Sequence, residues 1–185
     1  MRDVRRPWAL MAMIVLTCTT VADAGINVSV KAAKQGQFKA EGGREKAADR
    51  IEVMGFAYEV TSPRDAASGQ ASGKRQHKPV QITKAVGASS PQFFQALTTN
   101  EQLQNVVLEF TKADKNGEEY VLFTIKLVNA TVSSIRQYTP PNATGGKDAA
   151  GAAVPVEEIS FTFQRIEMES KDGKTMAVDD WTVAR

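Results

Sequence analysis

The feature that most constrains the fold is an alternation of apolar and polar residues that recurs along the chain. Apolar side chains at every second position are typical of a β-strand with one buried face. The segments with this pattern are Ile26–Val30, Val80–Ile82, Val106–Phe110, Val121–Leu127 and Ile159–Phe163. A chain built from such segments is expected to fold as an antiparallel sheet that closes into a barrel.

Turn residues separate these segments. The stretch from Asp114 to Gly117 contains Asn-Gly, the strongest short hairpin signal in the sequence. A second turn is predicted at Asp172-Gly173, leading into residues 175–183. Apolar residues occupy the odd positions up to Phe163 and the even positions from Ile166 onward. This change in the phase of the alternation predicts a β-bulge or bend near Gln164-Arg165.

Two further elements are predicted. The segment Arg50–Val60 is expected to form one long strand, because it has apolar residues on both faces. Ser89-Ser90-Pro91 is typical of a helix start. The apolar stripe of the helix that follows would be formed by Phe93, Phe94 and Leu97. The predicted fold is therefore mainly β, a compact antiparallel β-barrel with one short amphipathic α-helix.

Two segments are too long to be simple turns. Residues 62–76 and 139–153 are rich in glycine, proline and small residues. Loops of this length in a compact domain are usually binding loops, mobile arms or disordered excursions. The sequence leaves these alternatives open for both segments.

The N-terminus has the features of a targeting segment. Basic residues precede the apolar stretch Trp8–Leu16, and Ala22-Asp23-Ala24 supplies the small residues of a cleavage site. Residues 1–24 are therefore expected to be a signal peptide and residues 25–185 a single domain. A lipoprotein alternative would use Cys18, the only cysteine of the chain. The expected location is exported, either periplasmic or extracellular.

Composition excludes several classes of site. With 23 basic and 21 acidic residues the chain is too nearly neutral for a dedicated nucleic-acid binder. One His and one Cys cannot form a multi-His or multi-Cys metal centre. We expect no stable membrane span, because the N-terminal apolar run is too short.

Catalytic groups are equally scarce. His77 lies among cations without an adjacent carboxylate, although a distant acid and serine could complete a triad. The acidic pairs Glu157-Glu158 and Asp179-Asp180 lack the spacing of a metal loop and are expected to be surface or ion-pair groups. The sequence therefore predicts no catalytic, cofactor-binding or metal-binding residues.

The block from Gly73 to Lys84, followed by Ser89–Leu97, resembles the haemolysin-coregulated protein (Hcp) family of bacterial type VI secretion. Three later blocks agree in order and spacing, namely residues 120–136, residues 157–167 and Asp179-Asp-Trp181. The resemblance implies a β-barrel that assembles into hexameric rings and stacks into a secretion tube. It also implies a non-enzymatic protein whose lumen can hold small effector proteins and that contacts other components of the apparatus.

Within this resemblance the loop before His77 corresponds to an extended loop that contributes to contacts between subunits. Arg75, Gln76, His77 and Lys78 are accordingly predicted to lie at a subunit interface. The signal peptide departs from the family pattern, because tube subunits assemble in the cytoplasm without a cleaved signal. An alternative function is therefore an exported Hcp-like binding module that acts as a monomer in the periplasm or outside the cell.

Overall fold

The computed structural model describes residues 25–40, 49–140 and 153–181. In these residues one helix, α1 (Ser90–Thr98), accompanies twelve strands. The strands are β1 (Ile26–Ala32), β2 (Gly36–Gln37), β3 (Ile51–Val53), β4 (Gly55–Ala57), β5 (Val60–Thr61), β6 (Gln76–His77), β7 (Val80–Ala85), β8 (Leu103–Ala113), β9 (Glu119–Tyr138), β10 (Val156–Thr162), β11 (Arg165–Ser170) and β12 (Thr175–Asp180).

Antiparallel pairing closes ten of these strands into a barrel sheet, as the alternation predicts, while β5 and β6 form a separate two-stranded sheet. The hydrogen-bonded order runs β1, β8, β9, β10, β7, β4, and β3 pairs with β1 at the other side. β3 and β4 are consecutive along the chain and are separated only by Met54, so their junction completes the wall. The interior is filled by apolar side chains such as Val28, Ile82, Leu108 and Phe161, all 0% exposed.

The wall is completed where the predicted long strand over residues 50–60 is interrupted. That prediction was wrong in its continuity, because the segment forms β3, β4 and β5 separately. At Met54 the chain leaves β1 and joins β7, with the Met54 N–H donating to the Thr83 carbonyl at 2.8 Å. Gly55 follows, and a Cβ there would lie 3.3 Å from the Thr83 side chain. The change of partner strand is a tertiary effect that the local pattern does not encode.

The predicted hairpin turn and bend are both confirmed. Gly117 adopts a left-handed φ of +81°, and the Asp114 carboxylate accepts the backbone N–H groups of Asn116 and Glu118 at 2.7 and 2.8 Å. β10 ends at Thr162 and β11 begins at Arg165 on the same edge of β9. β11 stays paired with β9 along its whole length, and β12 pairs with the free edge of β11; we call these two strands the C-terminal ribbon.

Helix α1 starts at Ser90 after Ser89 and has Pro91 in its first turn, as predicted. Its buried residues are Ser90, Phe93 and Ala96, spaced three apart along one face. Phe93 meets Phe38 at a ring-centroid distance of 5.0 Å. The prediction that Phe94 belongs to the buried stripe was wrong: it follows Phe93 directly, so it points about 100° away and is 61% exposed.

The two predicted loops have different outcomes. Residues 60–77, here called the arm, run out along β5 and return along β6, which pairs with it. An isolated bridge joins Arg64 to Ala71 near the tip, and the Asp65 carboxylate accepts backbone N–H groups of Ala67 and Ser68. The arm is therefore an ordered hairpin-like extension. Most of the second loop, residues 141–152, lies outside the described residues.

Candidate site: the His77 cluster and the arm

The base of the arm has two distinct faces. Consecutive residues of a strand point to opposite sides, and Arg75 and His77 are partly buried whereas Lys74, Gln76 and Lys78 are exposed. The inner pair faces the C-terminal ribbon and the outer three face solvent. The four residues predicted as a subunit interface are thus divided between two surfaces, with Gln76 and Lys78 on the outer one.

His77 is held from both ring nitrogens. Its Nε2 lies 2.8 Å from Asp179 Oδ2, and its Nδ1 is hydrogen-bonded to the Tyr58 hydroxyl. An imidazole that donates from Nε2 to the carboxylate accepts the Tyr58 proton at Nδ1, which satisfies all three groups. The His77 side chain is only 6% exposed. These two bonds tie His77 to Tyr58, which follows β4, and to Asp179 in β12.

Arg75 binds the same carboxylate. Its Nε and Nη2 donate to the two oxygens of Asp179, and Nη2 also lies 3.3 Å from the Asp180 carbonyl. Such bidentate pairs fix geometry as well as charge. We call Tyr58, Arg75, His77 and Asp179 the His77 cluster. It joins the base of the arm to the end of β12, which is more than a hundred residues away in the sequence.

The cluster shifts the protonation of its members. Hydrogen bonds from Arg75 lower the pKa of Asp179 below its ordinary value of 3.8, and His77 adds to this against the opposing effect of burial. Burial raises the pKa of Tyr58, and the negative charge of Asp179 raises it further. The hydrogen bonds to Asp179 raise the pKa of Arg75. A charged Asp179 and a neutral Tyr58 are therefore the states that the fold favours.

Aromatic rings surround His77 on its other sides. Trp181 lies 5.0 Å and Phe163 5.6 Å from it between ring centroids, both edge-on. These rings line a cavity of about 280 Å³, together with His77, Lys78, Pro79 and Thr162. Trp181 remains 52% exposed. The cavity opens on the outside of the barrel.

A second ionic group lies inside the barrel. Lys84 of β7 and Glu157 of β10 are both 0% exposed, with Nζ and Oε1 3.0 Å apart. Ser90 at the start of α1 donates to the same oxygen at 2.8 Å, and Gln137 donates to the other at 2.8 Å. Glu157 is therefore an ion-pair group, as one alternative predicted, and not a surface group. Its neighbour Glu158 is partly buried, accepts the Tyr138 hydroxyl at 2.8 Å and lies 3.6 Å from Arg136.

Sequence reasoning missed the His77 cluster, because its acid and its tyrosine lie far from His77 in the chain. Within the described ranges no three His, Cys, Asp or Glu side chains converge as metal ligands would. In that same part of the chain no helix is long and apolar enough to cross a membrane.

The fold and the cluster together describe a barrel domain with an arm held at its base. The family model described as "Type VI secretion system effector, Hcp" matches residues 30–169, from β1 into β11. The "Major exported protein" of Pseudomonas aeruginosa is 33% identical over 133 residues, which cover 72% of this chain and 76% of that protein.

Solved structures agree. A crystal structure of Hcp protein matches with a TM-score of 0.75 and 26% identity, over 88% of this chain and all of the other. Secreted protein Hcp3 from Pseudomonas aeruginosa matches with a TM-score of 0.68 and 26% identity, over 87% of this chain and all of the other. The chain belongs to the Hcp family of type VI secretion proteins, as its sequence blocks predict.

Proposed function

We propose that this protein is a structural, non-enzymatic tube subunit of type VI secretion that assembles into hexameric rings. The observation that carries the proposal is the family match across residues 30–169, which spans the barrel rather than a local motif. Small effector proteins and other components of the apparatus are the expected partners.

The arm is our candidate for contacts between subunits. Arg75 and His77 hold its base on β12, so the arm projects in a fixed direction. Lys74, Gln76 and Lys78 remain exposed on its outer face, where a neighbouring copy can reach them. In this proposal all four predicted residues serve the interface, two by touching the neighbour and two by positioning the arm.

Sizing and a deletion test this function. Light scattering of the wild-type protein should give the mass of a hexameric ring. Deleting Asp65–Gly73 removes the tip but leaves the base pairing between β5 and β6, so circular dichroism should be unchanged while assembly weakens. Lys115→Ser, in the exposed turn between β8 and β9, is the matched surface control. Unchanged mass with an unchanged spectrum would remove the arm from the interface.

Export is the second part of the proposal. Residues 1–24 are removed as a signal peptide, and the mature single domain begins at Gly25. N-terminal sequencing of protein recovered from the envelope or the medium should read from Gly25. Soluble protein that begins at Met1 would contradict cleavage.

The same N-terminal segment favours a second candidate function. A signal peptide would deliver the chain to the periplasm, where a monomeric Hcp-like protein could serve as a binding module. A monomer mass for the mature protein at all concentrations would favour this alternative over the ring.

A further inference from the structure

Gly25, which follows directly on the predicted cleavage site, is bound to the barrel wall by its backbone. The Gly25 carbonyl accepts the Thr111 backbone N–H at 2.9 Å and the Thr111 hydroxyl at 3.1 Å. The Gly25 N–H donates to the same hydroxyl oxygen at 3.3 Å. Thr111 belongs to β8 and is only 6% exposed. Gly25 is therefore fastened to a buried residue, although its own surface is exposed.

The next residue, Ile26, is held between two strands. It lies opposite Phe110 of β8 on one side and opposite Val53 of β3 on the other. Its side chain is partly buried against the core. Both residues that follow the Ala24–Gly25 bond thus have backbone partners in the barrel, and no linker separates this bond from β1.

Proteolysis needs these same backbone groups. Cleavage hydrolyses the Ala24–Gly25 bond, so that water adds its hydroxyl to the Ala24 carbonyl carbon and its hydrogen to the Gly25 nitrogen. An enzyme cleft that binds an extended peptide does so through main-chain N–H and C=O groups. In the folded barrel, Gly25 and Ile26 must first leave Thr111 and the two neighbouring strands. Cleavage of the folded chain is therefore limited to locally opened states.

We propose that closure of the barrel protects the Ala24–Gly25 bond, so that the signal peptide is removed only from chains in which β1 has not yet paired. This inference rests on the proposed cleavage after Ala24 and adds a condition to it. The barrel described above belongs to the 185-residue chain, which still carries residues 1–24. A chain that folds before export keeps those residues in the cytoplasm, whereas protein outside the cytoplasm begins at Gly25. The two functions considered above would then belong to two forms of one chain.

A purified bacterial signal peptidase in detergent micelles tests the protection. Its substrates are the folded full chain and a peptide of residues 15–34, which contains the cleavage site but cannot form the barrel. Mass spectrometry of the products identifies the bond that is cut. The peptide should be cut before Gly25, and the folded chain should be cut at least about tenfold more slowly, because only its opened fraction is a substrate.

A spacer variant shows whether the wall supplies the protection. Gly-Ser-Gly-Ser-Gly-Ser inserted between Gly25 and Ile26 keeps the cleavage site and moves it away from β1. The last serine takes the place beside Thr111, where a Cβ would lie 3.9 Å from the hydroxyl, an ordinary contact distance. This variant should keep the wild-type circular dichroism spectrum and be cut about as fast as the peptide. The same spacer between Lys115 and Asn116, in the exposed turn after β8, is the matched control and should stay protected.

The outcomes separate this inference from the proposed function. Equal cleavage rates for the folded chain and the peptide would overturn the inference and leave the signal peptide intact. A folded spacer variant that is as protected as the wild type would also overturn it, because the wall would not be the cause. A peptide that is not cut before Gly25 would overturn the proposed signal peptide together with this inference. If the spacer variant does not fold, the comparison of folded chain and peptide still decides.

Discussion

Two pairs of adjacent acids, Glu157-Glu158 and Asp179-Asp180, look alike in the sequence but have different surroundings in the fold. Glu157 is 0% exposed and meets Lys84, Ser90 and Gln137 inside the barrel wall. Asp179 has its side chain 22% exposed, at the end of the ribbon, where it meets Arg75 and His77. The first carboxylate ties α1 to the barrel, and the second ties the arm to the C-terminal strand.

The difference shows how burial sets the role of an ion pair. Removing one member of a buried pair leaves a charge in a medium of low dielectric, which is costly. A partly exposed pair is partly screened by water, so its loss is expected to cost less global stability than the loss of a fully buried one. Its remaining value is geometric, because the bidentate bond defines where the arm lies. The inner pair is thus expected to control folding and the outer one to control assembly.

The largest effect is expected at the inner pair. Glu157→Gln should lower the free energy of unfolding by about 3–5 kcal/mol, because Lys84 then keeps its buried charge without a carboxylate. Denaturant unfolding measures the change. The double variant Lys84→Met with Glu157→Leu should recover most of the loss. An unchanged midpoint for Glu157→Gln would show that the pair is dispensable for folding.

The apolar contacts of α1 give a benchmark for that ionic tie. Phe93→Ala should cost about 3–5 kcal/mol, since Phe93 is fully buried between Phe38 and Phe161. Phe94→Ala is the control one residue away and should leave monomer stability nearly unchanged, because its ring is largely in solvent. Equal losses for the two variants would contradict the orientation of the helix. Denaturant midpoints read out both.

At the outer pair the expected effect is local. Asp179→Asn should lower the free energy of unfolding by about 1–3 kcal/mol, less than the loss at the inner pair, while amide exchange across residues 60–77 becomes faster. Glu59→Gln removes the exposed Lys78 ion pair nearby and should leave exchange in the arm as in the wild type. Exchange that is equally slow in Asp179→Asn would mean that the cluster does not hold the arm.

The smallest expected effect is a change in folding stability at acidic pH. Because the folded pKa of Asp179 is lowered, its stabilising contribution is complete above the ordinary value of 3.8 and is lost as pH falls through the folded value. The stability difference between wild type and Asp179→Asn should therefore be constant near neutral pH and shrink below pH 3.8. Urea titrations across this range provide the measurement. A stability difference that grows on acidification would contradict a lowered pKa of Asp179 in the folded protein.

Much of the barrel follows from local pattern. The alternating segments become β1, β7, β8, β9 and β10, since a strand with one buried face leaves its period in the sequence. The bend after β10 is visible because a change of sheet face shifts that period. The interruption at Met54 left no such change of period in the sequence. Apolar residues occur both before and after Met54, and only the partner strand changes, from β1 to β7.

The site was less accessible to sequence reasoning than the fold. His77 is surrounded in sequence by cations, and its carboxylate comes from Asp179, more than a hundred residues later. The sequence predicted that Glu157 and Asp179 are surface or ion-pair groups but could not distinguish them by burial, because each is one of two adjacent acids. Phe93 and Phe94 are adjacent and equally apolar, so the sequence could not show which of them is buried. The orientation of α1 on the barrel places Phe93 in the interior and leaves Phe94 exposed.

Closure of the barrel also has a consequence for the order of folding. β1 has near partners in β2 and β3, but its longest pairing is with β8, where Ile26 lies opposite Phe110. The wall cannot be completed until this distant strand has been synthesised. Barrels dominated by such non-local pairings fold in roughly milliseconds to seconds, far more slowly than helical bundles of similar stability. Until β8 has been synthesised and has paired, β1 therefore lacks its main partner strand.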